Sequence, residues 1–520
     1  MNRMRIKDNP FFLFIQSSLF FRPVKGEVFS LLCLTALLVS GCTYETESVV
    51  SSAEYPLEIA QIVENSCATT GCHAGSGAPD NLRLEDWNRL FAGSDFGAVL
   101  VPGEPDWSHF YQHLNTFDDL GVQARPVMPF GGLPTLGRTE VTLLRNWILD
   151  GAPNSKGELW WSQREAESAD KAFTLCAGSD LVAVSDLRTN LIMRFVEVGQ
   201  EAGKQEAPHY IRLSPDQQYF YISLIDGGII EKYRTDNYAF EGRVTVGPDP
   251  SLIALSPDGK RAVITHWNAS DALPKLSMID TESMTLLDQV IGGSDRLSFP
   301  HGIAATEDYA TVYVTANEGN YYAKYGLTSN GFVSEEKILL GPDVQPAIDR
   351  PSSAFKPYEC ELTEDESLLF ISCNETDEVR VYDTESDALI AQIPTGEFPR
   401  LLVIDERSNK LFVACANEEN FSEQGSIRGS ISVIDINTLT LEKQIFRVGQ
   451  RPHGLAIDSK RNVLVVSSEN NGGQDPPHHV LEGTSGPPGK YNFIDLTTLE
   501  VLPDAETEVA VFPNAVVVSE

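Results

Sequence analysis

From about residue 172 onward the apolar positions come in short runs that break and return with one rhythm. Ile211 to Ser223 reads as two strand-length apolar runs around a polar turn. The same ungapped pattern starts again at Ile253, Ile303, Cys360, Leu402 and Leu455. A proline stands three residues before each start: Pro208, Pro250, Pro300, Pro357, Pro399 and Pro452. Apolar runs of this length around Asp- and Gly-bearing turns are hairpins. A second hairpin follows each, as at Ser277 to Thr281 and Ser432 to Ile436. The unit is therefore four strands, repeated at 42 to 61 residues with the excess in loops. Such a unit cannot bury its own faces, so its neighbours must stack in a ring of blades, a β-propeller. The ends complete the count. Pro513 to Ser519 reads as an innermost strand after which the chain stops, and Leu181 to Ser185 as a second strand with no first. Sharing one blade between the two ends closes the ring at seven and removes its open edges.

The first third follows another pattern. From about Arg138 to Asp150 the apolar residues Val141, Leu144, Trp147 and Ile148 fall on one helical face, with Gly137 as N-cap and Glu140 three residues on. Nearer the N-terminus, Arg22 and Lys25 precede an apolar run from Val28 to Val39, too short to span a bilayer comfortably. The run ends in Leu38, Val39, Ser40, Gly41 and Cys42, which resembles a bacterial lipobox. That resemblance implies cleavage before Cys42, lipidation of its thiol and placement at the outer membrane. Residues 1–41 are then a signal peptide and 42–54 a Ser-rich, acidic tether.

The chain has 520 residues, 22% of them charged, and a formal net charge of -35. That length calls for more than one domain, and that charge argues against nucleic acid or an anionic membrane surface as partner. Eight cysteines form no regular disulfide framework. Cys33 lies in the signal and Cys42 at the lipid site, and Cys176, Cys360, Cys373 and Cys415 read as buried free thiols.

Cys67 and Cys72 stand apart, because His73 follows at once. Two thiols can add across the two vinyl groups of a haem while the adjacent imidazole ligates the iron. Four residues separate the cysteines where two are usual, and a disulfide loop is the alternative. Downstream come Pro102-Gly-Glu-Pro, Ser108, Tyr111, then Met128-Pro129, then the helix closing on Trp147-Ile148 and Gly151-Ala152. This order resembles the small cytochrome c domains of planctomycete and Bacteroidetes proteins over about Tyr55 to Pro153. The resemblance implies a small all-α domain at 55–153, thioether bonds to Cys67 and Cys72, and a single haem c ligated axially by His73 and Met128. His109 and His113 are rivals for the second axial position. A linker at 154–171 leads to the all-β seven-bladed propeller at 172–520. That part resembles YVTN-type and quinoprotein-like propellers, most clearly at Tyr313 to Asn317.

In such a ring His209, His301 and His453 follow the repeat's proline at the start of innermost strands. His266, His478 and His479 lie in loops after second strands, so all six are expected on one face. Ser251, Tyr358, Arg400 and Asn514 hold the equivalent positions around the channel mouth, and Glu318, Glu375, Glu418 and Glu469 lie on the same side. The loop from about Ser468 to Lys490 is expected to fold over the mouth. Imidazoles beside carboxylates suit a transition metal or an anionic ligand; the alternative is that Pro-His is a habit of strand starts and Asn-Glu turn chemistry. The leading functional reading is a membrane-anchored electron carrier that meets a redox partner protein, with the propeller as docking module. The next is a redox enzyme, since haem-c domains feed propeller active sites in two-haem periplasmic nitrite reductases, and nitrous oxide reductases use a His-lined propeller. This chain shares the order, cytochrome then propeller, with the nitrite reductases, and departs from them in having seven blades rather than eight. The third is a surface binding lipoprotein. No nucleophilic triad, P-loop or nucleotide fingerprint supports hydrolase chemistry.

Overall fold

The computed structural model describes residues 54–161, 170–199, 204–268, 270, 272–292, 297–342, 354–418, 429–470, 477–482, 484–503 and 506–519. The expected signal segment, residues 1–41, and the expected lipidation site Cys42 lie outside them. Among the described residues no helix is long and apolar enough to cross a membrane.

Residues 54–161 form a small helical region. Its helices are α1 (Leu57–Ser66), α2 (Trp87–Phe91), α3 (His109–Gln112) and α4 (Arg138–Leu149). α1 buries Ile59, Ala60, Ile62 and Val63, and α4 buries the expected Val141, Leu144, Trp147 and Ile148. The Glu140 carboxylate accepts from the free backbone N–H of Gly137 at 2.8 Å, which satisfies one orphan donor at the helix start. The indole N–H groups of Trp87 and Trp147 donate to the carbonyls of Ala152 and Pro153, both at 2.9 Å, and tie the helices to the chain that leaves them.

The rest is a seven-bladed β-propeller. Its innermost strands are 208–213, 250–255, 300–305, 357–362, 397–405, 452–458 and 513–519, and each packs against the next until the last meets the first. The closing blade runs Pro513–Ser519, Lys171–Cys176, Leu181–Asp186, Leu191–Glu197 from inside out. The two chain ends do share a blade. Leu181–Asp186 is its third strand, however, and the second begins at Lys171, because six further buried residues pair with the C-terminal strand.

Each blade starts by the same device. The residue before the proline is left-handed in all seven: Ala207, Asp249, Phe299, Lys356, Phe398, Arg451 and Phe512, with φ between 49° and 60°. None is glycine, so each turn is held against a steric cost by its surroundings. The register of the innermost pair then slips just after the proline, as between Pro208 and Tyr210 or Pro300 and Ile303. Such bulges re-aim a side chain. Here the residue after the proline is the one left out of register.

The second strands answer with a hydroxyl at the last position of the repeat. Ser223, Thr265, Thr315 and Ser372 accept the N–H groups of Tyr210, Leu252, Gly302 and Glu359 at 2.8–3.1 Å. The same hydroxyls donate to the carbonyls of Ser251, His301, Tyr358 and Arg400 in the following blade at 2.6–2.9 Å. Four blade junctions are therefore stitched by one buried hydroxyl each.

Candidate functional site

Two places gather chemistry-bearing side chains predicted from sequence, and a third was not foreseen. The first is the turn after α1. Its last turn passes into Cys67, whose N–H donates to the Val63 carbonyl at 2.9 Å. The loop folds back, with the His73 N–H donating to the Cys67 carbonyl at 3.2 Å and the Leu84 N–H to that of His73 at 2.9 Å. Gly71, at φ 86°, supplies the left-handed turn between them. Cys67 and Cys72 are free thiols, the first buried and the second half-buried. Burial pushes the Cys67 thiol up to about 12. Burial also lowers His73, whose Nδ1 is buried without a hydrogen-bond partner. Met128 packs half-buried on the apolar cluster that holds Cys67 and Ala68. Its N–H donates to the His113 carbonyl at 2.8 Å. Two free thiols flanking the turn that carries His73, with Cys67 and the Met128 thioether on one apolar cluster, fit a covalently held haem; a Cys67–Cys72 disulfide is not formed.

The second place is the propeller's channel mouth. His209, His301 and His453 converge there, with ring centroids 5.8 Å apart for His209–His301 and 6.4 Å for His209–His453. Tyr358 lies over His301 at 3.9 Å, and its hydroxyl meets His453 Nε2 at 3.2 Å. His301 Nδ1 meets the Tyr358 carbonyl at 3.2 Å, and His453 Nδ1 bonds the Asn514 carbonyl. Arg400 reaches Glu469 at 2.6 Å, and Arg451 takes the other Glu469 oxygen at 3.1 Å. His209, His301, Tyr358, Arg400, His453, Asn514 and Glu469 thus lie together at this end of the channel. Burial pushes His209 down to about 4 and holds His301 and His453 well below the ordinary imidazole value. His453 has both nitrogens engaged and His301 has Nδ1 engaged, while His301 Nε2 and Arg400 Nε are buried without a hydrogen-bond partner. Trp267, 5.4 Å from His301, joins this wall and was not singled out by sequence.

His266, His478 and His479 do not join it. His266 is fixed inside its blade between the Pro248 carbonyl and the Ser277 hydroxyl, each at 2.8 Å. The segment 477–482 turns away from the mouth because Val480–Glu482 pairs antiparallel with Gln123–Arg125 of the helical region. The expected lid over the channel is replaced, in these residues, by a seam. There His478 stacks on Phe96 at 3.6 Å and His479 on His109 at 3.6 Å. The opposite end of the channel holds a cavity of about 550 Å³ walled by Arg212, Glu359 and Glu361. Burial pushes Glu361 up to about 7 and Glu359 well up.

The fold and these sites define the chain as a seven-bladed β-propeller protein with an N-terminal helical region. No protein-family profile matches it. It is 21% identical over 264 residues to "Antigen Lp49" of Leptospira interrogans, a match covering 49% of this chain. The chain spans about half the length of that curated relative, 53%. Among solved structures it is similar to a functionally unknown protein of Desulfotomaculum acetoxidans, with TM-score 0.49 and 10% identity over 68% of this chain and 99% of that one. It is also similar to the hydrazine synthase of Kuenenia stuttgartiensis, with TM-score 0.44 and 16% identity over 61% and 90%. A dihydro-heme d1 dehydrogenase gives TM-score 0.44 and 15% identity over 82% and 95%.

Proposed function

We propose that this protein is an exported, lipid-anchored electron carrier. Cys67 and Cys72 would hold one haem c covalently, His73 and Met128 would ligate its iron, and the propeller would dock a partner redox protein. The observation that carries this reading is the pair of free thiols beside His73. A bound haem c supplies a one-electron iron couple, and methionine ligation raises its potential. The chain's own part is to bury Cys67, hold the His73 ring through its backbone bonds and keep Met128 against the apolar cluster. The formal charge of -35 suits a soluble exported surface and a partner with a basic docking face. That the Leptospira relative is named an antigen is in keeping with export.

The test is haem staining of the denatured protein in a gel. The wild type is expected to stay red and Cys67→Ser/Cys72→Ser to lose all colour; a colourless wild type from a host competent in haem attachment sinks the reading. Met128→Ala is expected to keep the haem while shifting the reduced spectrum and lowering the potential. An unchanged spectrum removes Met128 from the iron and promotes His109 or His113. Cys42→Ser is expected to release the protein from the membrane fraction, and retention there would refute the lipid anchor.

A second reading places a redox or ligand-binding site at the channel mouth, favoured by the orphaned His301 Nε2 amid three converging imidazoles. A second chromophore, or a tightly bound anion lost in His301→Ala, would select it.

A further inference from the structure

Where the helical region rests on the propeller, three histidines meet that neither site above uses. His109 and His113 come from α3 and the residue that caps it. His479 comes from the propeller, just before the strand pairing that joins the two parts. The rings of His109 and His479 stack with centroids 3.6 Å apart and planes 7° from parallel. His113 stands edge-on, 5.3 Å from His479.

The three share one hydrogen-bonding state. Each Nδ1 faces an oxygen: Gln112 Oε1 at 2.8 Å for His109, the Pro126 carbonyl at 2.6 Å for His113, and Glu508 Oε2 at 2.6 Å for His479. The Gln112 amide cannot turn to offer nitrogen instead, because its Nε2 donates to the Asp106 carbonyl at 2.7 Å. An oxygen that only accepts fixes the ring proton on Nδ1 and leaves Nε2 as a bare lone pair. Among the described residues, none of these three Nε2 atoms has a hydrogen-bond partner. Imidazoles whose outer nitrogen is pinned to a carboxylate or carbonyl while the inner one is free are the arrangement of metal-binding histidines.

We propose that His109, His113 and His479 bind a divalent transition-metal ion of the zinc or copper class through their Nε2 atoms, with Glu508 orienting His479. One ligating atom each from His109, His479 and Glu508 already lie within 4.8 Å of one another. Metal–nitrogen bonds of about 2.0–2.1 Å put two nitrogens on one ion roughly 3.3 Å apart, and each lone pair lies in its ring plane, so His109 and His479 must turn out of their parallel stack to meet on one ion. Three imidazoles select zinc or copper over magnesium or calcium, which take oxygen. The ligands come from both parts of the molecule, so the ion would clamp the helical region to the propeller. The site uses none of Cys67, Cys72, His73 and Met128, and it requires that His109 and His113 do not ligate the haem iron.

The test uses the full-length holoprotein, stripped with a chelator and then dialysed against micromolar Zn(II), with zinc measured by mass spectrometry. The wild type is expected to retain one zinc per chain and to melt at a higher temperature with zinc than without. His109→Ala and His479→Ala are expected to lose the bound zinc and its thermal shift. His453→Ala at the channel mouth should keep both. The milder Glu508→Gln removes the charge that orients His479 and is expected to weaken zinc binding about 10–100-fold. The haem spectrum should be the same in wild type and His479→Ala. The proposal is overturned if the wild type holds no zinc after dialysis, if Glu508→Gln and the histidine variants bind it as tightly as the wild type, or if His479→Ala changes the haem spectrum.

Discussion

A histidine held neutral in the fold makes stability depend on acid. His209 is pushed from the ordinary 6.5 down to about 4, chiefly by burial, with Arg400 adding to the shift and Glu469 opposing it. The folded state therefore binds fewer protons than the unfolded one between those values. Its contribution is fully present above about 6.5 and is lost as pH falls toward 4, on the order of 3 kcal/mol for such a shift. Glu361 works the other way. Its folded value, raised to about 7, costs stability as pH rises from the ordinary carboxyl range through 7. Urea unfolding of His209→Gln at several pH values should show a smaller acid loss than the wild type, and parallel curves would mean that the imidazole is not buried neutral. Which residues would ring the mouth was legible from sequence, since a strand-start position recurs after every proline. The protonation state was not, because it depends on packing by Tyr358 and Arg400 from other blades. Nor was the seam legible. In sequence His479 belongs to the loop expected over the mouth, and its partners His109 and Glu508 are far from it along the chain, with no shared motif to join them.

At the scale of the element, the repeat carries more than its apolar alternation. The last residue of each segment reads Ser223, Thr265, Thr315, Ser372, Ala414 and Ser467. In the first four the hydroxyl both accepts from its own blade and donates to the next. The spacing was visible in sequence, but its purpose was not, since the acceptor belongs to another repeat. Ser372→Ala would leave the Glu359 N–H and the Arg400 carbonyl buried without that partner. The expected cost is about 1–3 kcal/mol in urea unfolding. Ser467 occupies the same position with a buried hydroxyl that has no partner among the described residues. Ser467→Ala is expected to cost under about 0.5 kcal/mol, as substitutions that remove no interaction do. Equal losses for the two variants would show that side-chain volume, and not the stitch, sets the effect. α4 was legible for a simpler reason: its apolar face, cap and length are local. Leu144, fully buried there, should cost about 2–5 kcal/mol when cut to alanine.

At the scale of the whole molecule, the ring depends on one pairing between distant parts of the chain. Pro513–Ser519 lies against Lys171–Cys176 along its whole length, from Lys171 opposite Ser519 to Cys176 opposite Pro513. Every residue of the Lys171–Cys176 strand is buried. The prolines that start six innermost strands announce the blades, and the seventh at Pro513 announces the closure. What sequence could not supply is how far inward the N-terminal part reaches, because Lys171–Cys176 follows a charged linker and lacks the repeat's proline and turn. Closing a loop of this length comes late and at high entropic cost, so the closing strand should be marginal on its own and decisive for the ring. A chain ending at Phe512 would keep six complete blades but expose the inner edge of Lys171–Cys176, with Phe173 and Leu175 beside it. Open, apolar strand edges pair with other chains. The truncated protein is therefore expected to lose its sharp thermal transition and to elute as soluble oligomers or aggregate in size-exclusion chromatography. Adding back Val516→Asp in the full-length chain should give a milder form of the same defect, since that side chain is 5% exposed in the closing strand. A truncated chain that remains monomeric and melts within about 2 °C of the full-length protein, a shift worth only about 2 kcal/mol for a chain this long, would show that the ring holds without its clasp.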